Sequence, residues 1–232
     1  FNTVLYSGNG ATGQTITVGF QPDFTWIKQR SGADYHALQN SVTGNNKILA
    51  TNGTFVEWTI ADALTAWTST GFTLGADTSG FVNENSATYA AWNWKANGSG
   101  SSNTDGSITS TVSANVDAGF SIVSYTGNAT SGATVGHGLS KAPQLILLKS
   151  RSAVTDFVAY SESIGPTKFL RLSSHVAPDT SSAVFNDTAP TNALFSLGNN
   201  SDPNGGSETY IAYCFHSVDG YSKVGSYTGN GS

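Results

Sequence analysis

The sequence predicts an all-β fold of two tandem antiparallel β-sandwich domains, of jelly-roll or lectin-like type, that arise from an internal repeat. Three observations support this prediction. An aromatic strand–loop–strand motif occurs twice, at residues 71–95 and 194–216. Short apolar segments alternate with Gly- and Asn-rich turns along most of the chain. Each repeat holds about seven such segments, which is typical of a sandwich or jelly roll.

The repeated motif has the same internal order in both copies. An aromatic strand is followed by Gly, a polar loop and a second strand that opens on Thr-Tyr, at 88–89 and 209–210. Alternation along the second strand places one set of large residues on a single face: Ala90, Trp92 and Trp94 in the first copy, and Ile211, Tyr213 and Phe215 in the second. We therefore expect each copy to be a β-hairpin with a long loop.

The segment that starts each repeat indicates how the chain is divided. Residues 1–12 give a short strand and a Gly-Asn-Gly turn, and 119–130 repeat this pattern. Tyr125 lies 119 residues after Tyr6, whereas Tyr227 lies 102 residues after Tyr125. The difference indicates an insertion after the first copy of the motif.

The predicted domains follow from this spacing. We place the first β-sandwich repeat at 1–100, a linker at 101–118 and the second repeat at 119–217. Within the linker, residues 107–113 alternate Ile and Val with Thr and Ser, which favours an edge strand. Residues 218–232 are the start of a third repeat or a terminal strand.

An apolar strand that ends in Lys-x-Arg-Ser is the most distinctive polar feature of both repeats. Its four cations are Lys28 and Arg30 in the first copy, and Lys149 and Arg151 in the second. Two cations on one strand face are suited to an anionic sugar or a carboxylate ligand. The alternative is a structural ion pair, for example with Asp34 or Asp156.

All five tryptophans lie in the first repeat. Leu147, Tyr213 and Phe215 occupy the positions of Trp26, Trp92 and Trp94 in the second repeat, and this apolar replacement indicates core residues. Trp58 and Trp67 lie in the segment that differs most between the repeats. They are the candidate platforms for stacking against sugar rings.

Composition excludes several classes of function. Charged residues make up 11% of the chain and the net charge is −5, with no basic run, so we expect no nucleic-acid partner. No apolar run approaches about 18 residues, so we expect no membrane insertion. The single cysteine, Cys214, cannot form an intrachain disulfide and is predicted to be a small buried residue. Because the chain begins within a strand and stops at a loop, we expect a fragment of a longer protein.

No motif in the sequence indicates catalysis or a cofactor. The four histidines lack metal-ligand spacing, and neither a nucleophile elbow nor a phosphate-binding loop is present. The oxygen-rich loops at 77–80 and 199–202 lack EF-hand spacing and have the composition of ordinary turns. We therefore predict a non-enzymatic protein with no catalytic residues, no metal and no cofactor.

Several motifs together resemble a family of uncharacterised tandem β-domain proteins of tailed bacteriophages, mainly marine and cyanobacterial ones. They are Tyr-[Ser/Thr]-Gly-Asn, the Pro-containing strand that ends in Lys-x-Arg-Ser, Phe-x-Leu-Gly…Thr-Tyr-x-Ala, and the segments 105–115 and 186–191. The resemblance covers essentially the whole chain. It implies a virion structural or tail-fibre-like protein and supplies no catalytic residues.

The leading hypothesis is a phage virion component, a tail-fibre or surface-appendage module that presents loops to a host-surface glycan. Its expected partners are other virion proteins, host polysaccharide and further copies of itself, and its expected location is the virion or the extracellular space. One alternative is a carbohydrate-binding module of a secreted or cell-surface protein. The other is a capsid decoration or filament subunit, in which 1–12 and 220–232 link successive units by β-augmentation.

Overall fold

A computed structural model describes residues 1–231; Ser232, the last residue of the predicted 218–232 segment, lies outside the described part. Within this range the named strands form four sheets with antiparallel pairing, which confirms the all-β prediction. Two helices of four residues each occur in the second repeat. Neither of these helices is long enough to cross a membrane.

The first repeat contains nine strands. They are β1 (Asn2–Ser7), β2 (Gln14–Thr17), β3 (Phe24–Gln29), β4 (Ala37–Asn40), β5 (Gly44–Leu49), β6 (Trp58–Thr59), β7 (Leu64–Thr68), β8 (Gly71–Leu74) and β9 (Thr88–Trp94).

The remaining elements belong to the linker and the second repeat. They are β10 (Ser101–Asn103), β11 (Ser110–Asn115), β12 (Phe120–Thr126), β13 (Ala133–Gly136), β14 (Leu145–Ser150), β15 (Val158–Ser161), β16 (Lys168–Arg171), β17 (Asp179–Thr180), α1 (Ser182–Phe185), β18 (Leu194–Leu197), α2 (Ser201–Asn204) and β19 (Thr209–Phe215).

The two repeats share one sheet order. The first large sheet has the order β1-β9-β3-β4-β5-β6, and the second has β10-β11-β12-β19-β14-β15-β16-β17. The small sheets are β2-β8-β7 and β13-β18. The linker strand β11 lies inside the second large sheet, between β10 and β12, and β10 forms that edge of the sheet.

The predicted hairpin is wrong in both copies. In the first repeat β8 pairs with β2 and β7, whereas β9 pairs with β1 and β3 in the other sheet. In the second repeat β18 pairs with β13 and β19 pairs with β12 and β14. The loop between the two strands therefore crosses from the small sheet to the large one. The two strands of each motif do not pair with each other, because each already has partners in its own sheet.

Tyrosines near these crossing loops explain the repeated Thr-Tyr and Tyr-[Ser/Thr]-Gly-Asn motifs. Tyr89 stacks on Tyr6 with ring centroids 5.1 Å apart, and its hydroxyl donates to Gly80 O at 3.0 Å. In the second repeat Tyr210 stacks on Tyr125 at 5.2 Å and donates to Ser201 O at 2.6 Å. Burial raises the pKa of Tyr89 to about 12. The repeated tyrosines of these motifs therefore have a structural role, since their hydroxyl groups hydrogen-bond the large-sheet strand to the crossing loop.

A buried asparagine closes each crossing loop. The Asn83 side chain donates to Gly75 O at 2.6 Å and accepts from the backbone N–H of Asn9 at 2.9 Å. Asn204 makes the equivalent bonds in the second repeat, to Gly198 O at 2.8 Å and from Asn128 N–H at 2.8 Å.

The glycine of the Tyr-[Ser/Thr]-Gly-Asn motif permits the close approach of this segment to the crossing loop. A Cβ on Gly8 or on Gly127 would lie 2.3 Å from a backbone carbonyl oxygen of the crossing loop. These contacts require glycine at both positions.

Three apolar cores separate four stacked sheets. The first lies between the small and large sheets of the first repeat, with Phe72 and Ile27 as members. The third lies between the two sheets of the second repeat and includes Cys214, whose predicted burial is confirmed. The middle core joins the two large sheets face to face, with Phe24 of one repeat against Tyr213 of the other. Their rings stack with centroids 4.3 Å apart.

Candidate functional site

The four cations of the Lys-x-Arg-Ser strands have different surroundings in the two repeats. Lys149 is fully buried. Its amino group donates to Thr155 O at 2.8 Å, to Thr155 Oγ1 at 3.2 Å and to Thr54 O at 3.4 Å. Burial lowers the pKa of Lys149 to about 8. The Lys149 amino group therefore has three acceptors within the protein. One of them, Thr54 O, belongs to the first repeat, so this is a contact between the repeats.

Arg151 makes a second contact between the repeats. Its guanidinium binds both carboxylate oxygens of Glu57, with Nε–Oε2 and Nη2–Oε1 distances of 2.8 Å. The side chains are 20% and 9% exposed, respectively. The backbone N–H of Glu57 also donates to Arg151 O at 2.8 Å. We name the segment 54–57 bound to Lys149 and Arg151 the inter-repeat clamp.

Asp156, an expected partner of these cations, instead pairs with Arg171 at 2.8 Å. In the first repeat Lys28 is half-buried and donates to Gln29 O at 2.5 Å and Gly32 O at 3.1 Å. Arg30 is exposed, and its side chain makes no ion pair within residues 1–231. The structure therefore does not bring the four cations together as one anion site.

The two candidate tryptophans lie in different sheets. Trp67 is on β7 of the small sheet, half-buried beside Phe72 and packed on the first core. Its indole Nε1 is buried without a hydrogen-bond partner in the described chain. The polar edge of this ring is therefore turned into the protein. Trp58 is on the two-residue edge strand β6 of the large sheet.

Trp58 lies within a group of four aromatic side chains that we name the aromatic cluster: Tyr35, Phe55, Trp58 and Phe81. Trp58 stacks on Phe81 with ring centroids 5.2 Å apart, and the Phe55 ring, tilted by 36°, also lies 5.2 Å from Trp58. Tyr35 contacts the other three rings edge-on, at 5.2–6.1 Å. Phe55 is 39% exposed and the other three are half-buried. Trp58 and Phe81 also pack on the first core, as Trp67 does, and Phe55 is the exposed member of the cluster.

A polar groove adjoins the aromatic cluster. It has a volume of about 310 Å³ and is lined by Asp34, Glu84, Ser79 and Asn85, among others. Asp34 precedes Tyr35 in the chain and Gly80 precedes Phe81. A Cβ on Gly80 would lie 3.9 Å from Asp34 Oδ2 and 4.0 Å from Glu84 Cβ. The groove and the cluster are therefore connected through the backbone at 34–35 and 80–81, and none of the four rings lines the groove.

Hydrogen bonds within and to the crossing loop fix the acceptor groups of the groove. The buried Asp77 accepts from the backbone N–H groups of Val82 and Asn83, at 2.5 and 2.8 Å, which orders the loop. Glu84 accepts from Gln29 Nε2 at 2.9 Å. Residues 1–231 contain no group of three His, Cys, Asp or Glu side chains suited to a metal ion. The arrangement is suited to ring stacking combined with hydrogen bonding.

Sequence reasoning found Trp58 but missed Tyr35, Phe55 and Phe81. One signal was present for Phe55, because it lies with Trp58 in the segment that differs most between the repeats. Tyr35 and Phe81 come from distant parts of the chain, and their proximity depends on the fold.

An apolar cavity of about 530 Å³ opens between the two large sheets. Trp26 and Trp94 of the first repeat face Leu147 and Phe215 of the second across it, and residues 221–224 close one side. The three tryptophans predicted to be core residues, Trp26, Trp92 and Trp94, are in fact half-buried. The indole N–H of Trp26 donates a hydrogen bond to His36 Nδ1 at 2.8 Å.

Comparisons with known proteins identify one match. No curated protein and no solved structure matches the chain. One family profile, described as a domain of unknown function (DUF7483), matches residues 1–232. The chain therefore belongs to the DUF7483 family.

Proposed function

We propose that this chain is a non-enzymatic module of a bacteriophage particle, carried on a tail fibre or similar surface appendage, that binds host-surface glycans through the aromatic cluster. Two tandem sandwich units of lectin-like type form the scaffold in this proposal. The module works as a homo-oligomer on the virion or in the extracellular space. The motif resemblance and the repeats support the viral part of the proposal.

The observation that carries the binding role is the aromatic cluster beside the polar groove. Sugar rings present apolar C–H faces that stack on aromatic rings and hydroxyls that bond to carboxylates and amides. Tyr35, Phe55 and Trp58 offer the first kind of contact, and Asp34 and Asn85 offer the second. The four rings come from three separate segments, so packing holds them in place before a ligand arrives.

Two alternatives use the same scaffold. A carbohydrate-binding module of a secreted or cell-surface protein would share the sugar site but not the particle. A capsid decoration or filament subunit would make only protein contacts, with 1–12 and 220–232 linking successive units by β-augmentation.

The test is a glycan-array screen of the 232-residue chain, with and without Ca²⁺. We expect reproducible sugar binding that needs no Ca²⁺. Phe55→Ala and Trp58→Ala should each weaken the affinity for the sugar found by about tenfold or more, since each removes a stacking ring. Tyr227→Ala is the matched control, because Tyr227 is 94% exposed and lies in the tail.

The outcomes separate the proposals. Binding that both cluster variants retain would place the sugar site elsewhere on the chain. Silence across the array would favour the decoration or filament role. Mass spectrometry of purified particles tests the viral part, since absence of the chain from particles would leave the carbohydrate-binding module as the better reading.

A further inference from the structure

Asn-Gly steps are the chemically labile points of this chain. They occur at five positions: Asn9, Asn52, Asn97, Asn204 and Asn230. Asparagine before glycine is prone to spontaneous deamidation, because glycine has no Cβ to keep its backbone nitrogen away from the asparagine side chain. That nitrogen is the attacking group, so a hydrogen bond that holds its N–H slows the reaction. The first four steps lie in the two repeats, and Asn230 follows them.

Three of the four glycine N–H groups in the repeats are held by hydrogen bonds. Their acceptors are Asn83 O for Gly10 at 2.9 Å, Asp23 Oδ1 for Gly98 at 3.2 Å, and Tyr210 Oη for Gly205 at 2.6 Å. Gly53 differs, because its N–H has no hydrogen-bond partner within residues 1–231. The nucleophile is therefore free at Asn52 alone among these four steps.

The Asn52 side chain is also prepared for attack. It is exposed and lies in the turn that follows β5. The backbone N–H of His36 donates to Asn52 Oδ1 at 3.1 Å, which draws electron density from Cγ and makes this carbon a better electrophile. Nδ2, the leaving group, has no hydrogen-bond partner in the described part of the chain. The attacking atom, the polarised carbonyl and the leaving group thus meet in one exposed turn.

We infer that Asn52 deamidates spontaneously in the folded protein, ahead of the other Asn-Gly steps of the repeats. The Gly53 nitrogen bonds to Asn52 Cγ, the Cγ–Nδ2 bond breaks, and the amide proton leaves with Nδ2 as ammonia. Water then opens the cyclic imide at either of its carbonyls. One product is aspartate. The other is isoaspartate, in which the main chain runs through the former side chain and is longer by a methylene group.

The modified turn leads directly into the inter-repeat clamp. Thr54 O accepts from the backbone N–H of Thr155 at 3.1 Å, and Phe55 is the exposed member of the aromatic cluster. Gly53 lies against that ring, since a Cβ on it would be 2.5 Å from Phe55 Cε2. Isoaspartate lengthens the chain just before Thr54. The modification therefore displaces Thr54 O from Thr155 and loosens the clamp.

The test is peptide mapping by mass spectrometry of the folded 232-residue chain during storage at neutral and at mildly alkaline pH. Exchange of ammonia for water raises the mass of the affected peptide, and isoaspartate elutes separately. Conversion at Asn52 should exceed that at Asn9, Asn97 or Asn204 about tenfold, because one hydrogen bond that must first break slows a reaction by about this factor. Conversion should also rise with pH, since the deprotonated glycine nitrogen attacks.

The fold control is the same time course in urea. Without the hydrogen bonds, the four steps should react at similar rates. A preference for Asn52 that persists in urea would mean that the fold does not select it and would overturn the inference. Equal conversion of the four steps in the folded protein, faster conversion at another of them, or an unchanged Asn52 peptide would also overturn it.

Two variants complete the test. Asn52→Gln should keep its mass at this position, because the longer side chain closes a less favourable ring, and Asn97→Gln is the matched control that leaves conversion at Asn52 unchanged. Hydrogen exchange reports on the clamp. The Thr155 amide should exchange faster in stored wild-type protein than in stored Asn52→Gln protein. Equal exchange in the two would overturn the effect on the clamp.

Discussion

The two Lys-x-Arg-Ser strands have the same motif and opposite surroundings. In the second repeat Lys149 and Arg151 hold the segment 54–57 of the first repeat. In the first repeat Arg30 is exposed and Lys28 bonds to its own loop. The same motif therefore has different roles in the two repeats, because its role depends on which residues of the other repeat contact it.

The largest expected effect comes from the core between the large sheets. Phe24 is fully buried and contacts Tyr213, Trp94 and Phe120. Phe24→Ala should lower the free energy of unfolding by about 4 kcal/mol. Its counterpart Leu145 is only half-buried, so Leu145→Ala should cost about 2 kcal/mol.

Urea denaturation monitored by tryptophan fluorescence measures both variants. Equal losses would mean that the two residues contribute alike to the middle core, which would contradict their difference in burial.

The clamp gives the next effect. Arg151→Ala leaves the Glu57 carboxylate, which is 9% exposed, without its partner, and should cost about 2–3 kcal/mol of unfolding free energy. Arg30→Ala is the matched control at the equivalent position and should change stability by less than about 0.5 kcal/mol. Thermal and urea unfolding check both values. A large effect of Arg30→Ala would reveal a role for the first copy that the structure does not explain.

The smallest effect is a pH dependence. The folded-state pKa of Lys149 is lowered to about 8 from 10.5, so the unfolded chain binds more protons than the folded one between these values. The free energy of unfolding should therefore rise with pH across this window, by on the order of 1 kcal/mol after allowance for solvent screening. Lys149→Met should lack this rise.

Tyrosines complicate the upper part of that window. Burial raises the pKa of Tyr89 to about 12, so above pH 10 the unfolded chain ionises first and stability falls. The wild-type and Lys149→Met proteins share this fall. The difference between their urea-unfolding curves from pH 7 to 10.5 isolates Lys149, and identical curves would contradict the prediction.

Sequence patterns predicted the strands better than their pairing. The all-β class and the burial of Cys214 follow from local patterns, and both are found. The hairpin prediction failed because strand and turn signals identify neighbours in sequence, whereas β8 and β9 lie in two different sheets and pair with other strands there. Which sheet a strand joins depends on the whole repeat, and the local sequence carries no signal for it.

The candidate site was predictable only in part. Trp58 was identifiable by its lack of a counterpart in the second repeat, but the rings around it come from positions 35, 55 and 81. Lys149 and Arg151 looked like ligand-binding cations because their partners, Thr54 and Glu57, belong to the other repeat. A contact between distant segments cannot be inferred from either segment alone.

The inter-repeat clamp also has a direction. Its acid lies on the preceding repeat and its base on the following one, so the contact is heterologous and would propagate as a filament if every repeat carried both halves. The second repeat carries only the base. The segment before β17, at 175–178, is exposed and reads His-Val-Ala-Pro, without a carboxylate. At the positions that correspond to 54–57, the second repeat therefore lacks the acid that the first repeat supplies to the clamp.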